Sequence, residues 1–185
     1  MSIPNPIGKR LQIAATKEMM HRDGTLLDGL ATAGFALHSG PDGSGLWMTY
    51  LSRGGGYYID VGASQLIADK KIKIKQGQEV KSIKSHSLVL TDDSVLEADE
   101  IVFATGYQNM RETARKIFGD ELADQVHDVW GFDGEGETRG MWRPSGHPGF
   151  WFFGGNLALC RFYSRLLALQ IKAVEAGFTR AQKVK

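Results

Sequence analysis

"IVFATGYQNM", residues 101–110, runs four apolar residues into Thr-Gly-Tyr and then into an amphipathic stretch. A segment with no polar face predicts a strand buried on both sides, as in a sheet covered by helices. It stops at Gly106, and the chain continues as a helix. The same design recurs at residues 150–156, "FWFFGGN", a second apolar strand that ends in glycine before a helix. In open α/β sheets, ligands lie beyond the carboxyl ends of the strands. Glycine there admits close backbone approach, and a helix start offers unpaired N–H groups to an electron-rich partner. Ordinary strand-turn-helix junctions explain the same pattern equally well.

Working outward, residues 7–20 and 23–34 predict two helices, the second closed by Gly34. Residues 38–56 are glycine-rich at both ends, and a short helix follows over 63–70. The period then changes. "KIKIK" at 71–75 alternates strictly and predicts a half-exposed strand with Ile72 and Ile74 on one face. Residues 79–100 predict two or three further strands, turning near Ser85-His86 and Asp92-Asp93.

Asn109, with Glu112 three residues on, predicts a capped helix ending at Gly119, and a short helix follows near 120–128. Residues 131–149 read as irregular. Asn156 predicts the N-cap of a last helix over about 157–176, stopped by Gly177. Its charged stripe (Arg161, Arg165, Lys172, Glu175) is narrow, so the helix is expected to be mostly buried.

Composition bounds the function. The 185 residues suit one domain, or one domain plus a smaller lobe. A net charge of +1 gives no electrostatic case for nucleic acid or an anionic membrane. The lone Cys160 forbids an internal disulfide or a CxxC pair and reads as a buried thiol. No apolar run is long enough to span a membrane, and no signal-peptide core opens the sequence, so a cytoplasmic protein is expected. The 23 glycines exceed the roughly 7% average usage, and they cluster in loops.

Motif searches exclude several chemistries. G-x-G-x-x-G and G-x-x-x-x-G-K-[ST] are both missing, so there is neither a dinucleotide fingerprint nor a P-loop. The five histidines are scattered without metal-ligand spacing, and no metal site is expected. No G-x-S-x-G supports a hydrolase.

Three strings carry a resemblance: "RGGGYYIDVGASQLIADKKIKI" (53–74), "EADEIVFATGYQNMRETARKIFGDELADQV" (97–126) and "RGMWRPSGHPGFWFFGGNLALCRFYSRLLALQIKA" (139–173). Together they resemble the C-terminal part of flavin-containing monooxygenase-like proteins, FAD- and NADPH-dependent oxygenases related to Baeyer–Villiger enzymes. The likeness covers residues from about 25 to 178. It implies an α/β fold, namely the C-terminal portion of a two-dinucleotide-binding-domain flavoprotein with a small β-meander and a long C-terminal helix. Residues 1–56 would be a helical, glycine-rich segment from the end of the NADPH-side region. Residues 57–185 would be the C-terminal part of the FAD-binding domain, with the 71–96 β-segment within it.

The implied activity is monooxygenation of a small molecule, with NADPH reducing FAD and oxygen transferred through a flavin C4a-hydroperoxide. Carried over by motif, Ala104, Thr105, Gly106 and Tyr107 would lie along the flavin nucleotide. Gly154, Gly155, Asn156 and Leu157 would bring the last helix to the isoalloxazine. The resemblance assigns no catalytic side chain.

The family's two pyrophosphate fingerprints are missing from this sequence. Open strand edges then imply association, either with a second copy or with a complementing chain that carries the N-terminal part. The alternative is a non-catalytic flavoprotein remnant that acts by binding a partner. A disulfide-reductase flavoprotein shares the ATG-type strand but needs a second cysteine.

Overall fold

In a computed structural model, residues 3–178 are described. The described residues mix helices with one small three-stranded antiparallel sheet, and the last helix among them is long. It divides into two compact units. One gathers Met1–Thr16, Ser39–Tyr57 and Tyr107–Lys185; the other gathers Lys17–His38 and Tyr58–Gly106.

Helix α1 spans Asn5–Arg22, and the second unit holds α2 (Gly24–Thr32), α4 (Ala63–Ala68) and a meander of β1 (Val80–Lys84), β2 (Ser87–Leu90) and β3 (Val95–Glu97). The glycine stop of α2 forms as its sequence dictates. Gly34 sits at φ 86°, its N–H bonds Ala31 O, and Phe35 N–H bonds Leu30 O. This is the paired closure that a left-handed residue makes possible. Helix α2 packs on α4, with Gly29 lying against Ala68. The start of α4 is held by Asp60, whose carboxylate accepts from Gly62 N–H and Ser64 N–H at 3.1 and 3.0 Å.

The strand order β1-β2-β3 follows directly from the two turns. At the second turn, Asp92 accepts from Ser94 N–H at 3.0 Å, and Asp93 takes φ 61°.

The first unit is built on α3 (Gly45–Arg53), α5 (Met110–Phe118), α6 (Asp120–Ala123) and α7 (Leu157–Glu175). Its core joins Ala114, Val126, Val129, Met141, Trp142, Phe152 and Leu167. Burying a side chain the size of Met141 or Phe152 stabilises the fold by about 1.5–3 kcal/mol. A neighbouring cluster joins Met48, Tyr50, Leu51 and Leu159, with Trp130 and Tyr163 packed against both. Arg115 bridges Asp120 and Asp124 at 2.6 and 2.8 Å and ties α5 to α6.

Four expectations are corrected. Residues 101–104 form no strand. They are unpaired, with Val102 88% and Phe103 58% exposed. A strand without a polar face needs neighbours on its edges and covers on both faces. Among the described residues, none hydrogen-bonds to this stretch.

"KIKIK" likewise stays outside the sheet. Two of its lysines find carboxylates instead, Lys71 at 3.6 Å from Asp69 and Lys75 at 2.6 Å from Asp92. "FWFFGGN" contributes only a single bridge, Met141↔Phe152. The last helix is mostly exposed, with only Leu159 and Leu167 buried in it.

Candidate functional site

The best-built of the expected positions is the turn into α7. Gly155 adopts φ 98°, a conformation that residues with a Cβ rarely adopt. A Cβ placed there would stand 2.9 Å from Tyr50 Oη and 3.1 Å from Leu159 Cδ1. Gly154 is tight as well, since its Cβ would meet Met141 at 3.2 Å. The two glycines let the backbone pass between core side chains before the helix begins.

Asn156 then caps α7. Its Oδ1 accepts from Leu159 N–H at 3.0 Å, and its carbonyl accepts from Cys160 N–H at 2.9 Å. The N–H groups of Leu157 and Ala158 have no acceptor inside the helix. Both residues are exposed, Leu157 by 88%. This end therefore offers donors and the positive end of the helix dipole to the surface.

Tyr50 anchors the turn from α3. It is 8% exposed, and its Oη accepts from Asn156 N–H at 3.2 Å. Its ring lies among Trp130 at 5.2 Å, Trp47 at 5.9 Å and Tyr57 at 6.1 Å, measured between ring centroids. Burial pushes the Tyr50 phenol above its ordinary pKa, partly offset by the hydrogen bond from Asn156. A phenol held neutral in this way keeps its hydroxyl for hydrogen bonding across the physiological range. Cys160 lies one turn along α7, with its thiol 3.8 Å from the carbonyls of Gly154 and Gly155.

Sequence reasoning missed Tyr50, because its partner is 106 residues away. The available signal was a tyrosine inside the aromatic-rich "GLWMTYL" (45–51), with glycines on either side.

The other expected stretch, Ala104, Thr105, Gly106 and Tyr107, is built differently. Ala104–Gly106 belong to the second unit and Tyr107 to the first. Gly106 is required by its φ of 83°, yet a Cβ there would meet nothing within 4 Å. Tyr107 is fully exposed. Residues 101–107 make no hydrogen bond, ion pair or ring contact among the described residues.

Among the described residues, no three His, Cys, Asp or Glu side chains group to hold a metal ion. No helix among them is long and apolar enough to cross a membrane. No protein-family model matches the chain, and no curated protein matches it.

Proposed function

We propose that this chain is the C-terminal portion of a flavin-containing monooxygenase-like oxidoreductase, acting with FAD and NADPH on a small molecule in the cytoplasm. The observation that carries the reading is the turn into α7. Gly155, required by its positive φ and by Tyr50, the closely packed Gly154 and a capping asparagine present an exposed helix start, fixed from behind by buried Tyr50.

When bound, flavin supplies the redox and oxygen chemistry. The residues of this chain bind and orient it. The free N–H groups of Leu157 and Ala158 suit the electron-rich edge of the isoalloxazine. Gly154 and Gly155 let that helix start sit close to a ligand without intervening side chains.

The cofactor's pyrophosphate fits nothing in this chain, which has no G-x-G-x-x-G loop. That contact falls to a complementing chain, or to a further part of the same protein. NADPH binding falls there too.

The test is a titration of riboflavin and FAD against the purified chain, followed by quenching of flavin fluorescence. Saturable quenching that Gly155→Val removes is the expected result. Wild-type protein that quenches neither flavin overturns the reading.

A second reading has its own support. The unpaired apolar stretch 101–107 suits a non-catalytic flavoprotein remnant that works by binding a partner chain. Flavin-dependent NADPH consumption by the reconstituted pair excludes it.

A further inference from the structure

The irregular segment 131–149 shapes a second feature, away from the glycine turn. It borders an open cavity of about 450 Å³, with His127, Asp133, Thr138, Arg139, Arg143 and Gln170 among its lining residues. Small-molecule sites span roughly 300–1,000 Å³, so the volume suits a compact metabolite.

The charges in this cavity are unbalanced: two guanidinium groups face one carboxylate. The carboxylate is already engaged, since Asp133 accepts from Arg143 Nη1 at 2.8 Å. Its other oxygen accepts from the N–H groups of Glu135 and Glu137 at 3.0 and 2.9 Å. These bonds hold the Asp133 carboxyl below its ordinary pKa. They also fix where the Arg143 side chain points. Glu137, which lines an adjoining smaller cavity, accepts from Asn5 Nδ2 at 3.0 Å.

Arg139 is the uncompensated charge. Its Nε donates to Trp130 O at 3.3 Å, and among the described residues it has no carboxylate partner. Its guanidinium lies over Gly131, where a Cβ would stand 2.9 Å from Nη2. Gly131, at φ 80°, leaves room beside its backbone for the guanidinium of this exposed arginine. With Nε occupied, both terminal nitrogens of the fork remain as donors. A planar fork held in this way is suited to a tetrahedral oxyanion.

We propose that this cavity binds a phosphate group, free or as the monoester of a small metabolite, with Arg139 as the principal ligand and Arg143 as a second, pre-oriented donor. The site is independent of the flavin reading and shares no residue with the glycine turn.

The test is isothermal titration of the wild-type chain with inorganic phosphate, ribose 5-phosphate and ribose at constant ionic strength. Saturable binding of either phosphate, with none by ribose, is expected. Tighter binding of ribose 5-phosphate assigns the ester, and tighter binding of inorganic phosphate assigns the free anion. Arg139→Gln should weaken binding by roughly tenfold or more, as loss of a charge-assisted contact requires. Arg139→Lys should restore part of it.

Arg143→Gln also frees Asp133, so Arg139→Gln is the deciding variant. Its thermal unfolding and riboflavin quenching should match the wild type. No saturable phosphate binding, unchanged binding in Arg139→Gln, or equal displacement by chloride overturns the proposal. Riboflavin quenching by the same samples reports separately on the flavin site.

Discussion

The side-chain amide of Asn109 pairs with both backbone groups of Val129. Nδ2 donates to the Val129 carbonyl at 2.8 Å, and Oδ1 accepts from the Val129 N–H at 3.1 Å. The same Oδ1 caps α5 by accepting from Arg111 N–H at 3.1 Å. Val129 is only 2% exposed, so its backbone has little access to water. One side chain thus starts a helix and satisfies a buried peptide 20 residues away.

Asn109→Ala removes a cap and strands two backbone groups, so it should destabilise the chain by about 2–4 kcal/mol. Asn109→Asp keeps the cap but replaces the Nδ2 donor with an oxygen that faces the Val129 carbonyl, so it should fall between alanine and wild type. Denaturant unfolding of the three proteins checks the order. An alanine variant as stable as wild type contradicts the pairing.

At the turn into α7, Gly155→Ala should destabilise by more than about 1 kcal/mol, because its positive φ and its contact with Tyr50 Oη act together. Tyr50→Phe should lose about 1 kcal/mol with the hydrogen bond to Asn156. The double variant removes the clashing oxygen. Its loss should be smaller than the summed single losses, with a coupling of roughly 0.5–2 kcal/mol. Strict additivity in a double-mutant cycle would show that the two residues do not meet.

Acid should loosen the β2–β3 turn through Asp92. Lys75 and then Ser94 hold this carboxyl down to about 2 from its ordinary 3.8. Because the folded value is the lower one, its contribution is present above 3.8 and fades as pH falls through about 2. The group is exposed, so the effect is small and screened by salt. The Ser94 amide resonance should follow this titration. Asp92→Asn should flatten it, and an unshifted midpoint near 3.8 in the wild type contradicts the ion pair.

Val102 is exposed, so Val102→Lys should change unfolding by less than about 0.5 kcal/mol. The same change should weaken self-association, or association with a complementing chain, in sedimentation velocity. Lost stability with unchanged association would show that the stretch is buried and serves the fold of this chain.

Legibility in the sequence followed the range of the interactions. Asn109, Asn156, Gly34 and Gly177 were readable as helix boundaries because caps are made within a few residues. The meander was readable because its turns lie at Ser85-His86 and Asp92-Asp93, between neighbouring strands. The capping box at Asn109 was half right. Glu112 does not reach back to the cap but pairs with Arg115 at 3.5 Å.

Strand formation at 101–104, 71–75 and 150–156 failed as an inference for a different reason. Apolar pattern states a need for burial but does not supply a partner. Tyr50 was invisible because nothing local distinguishes a packing tyrosine from one that bonds a helix start 106 residues away. The Asn109–Val129 pairing is hidden by the same distance effect, over 20 residues.

The bare backbone of residues 101–107 has one further consequence. Its amides lack acceptors among the described residues, so they should exchange with deuterated solvent at nearly intrinsic rates. A chain that adds a strand here would protect alternate amides along the stretch, as a ladder does. A cofactor resting against it would slow only the few amides that it covers. The pattern of slowed exchange along these seven residues therefore reports which kind of visitor has arrived.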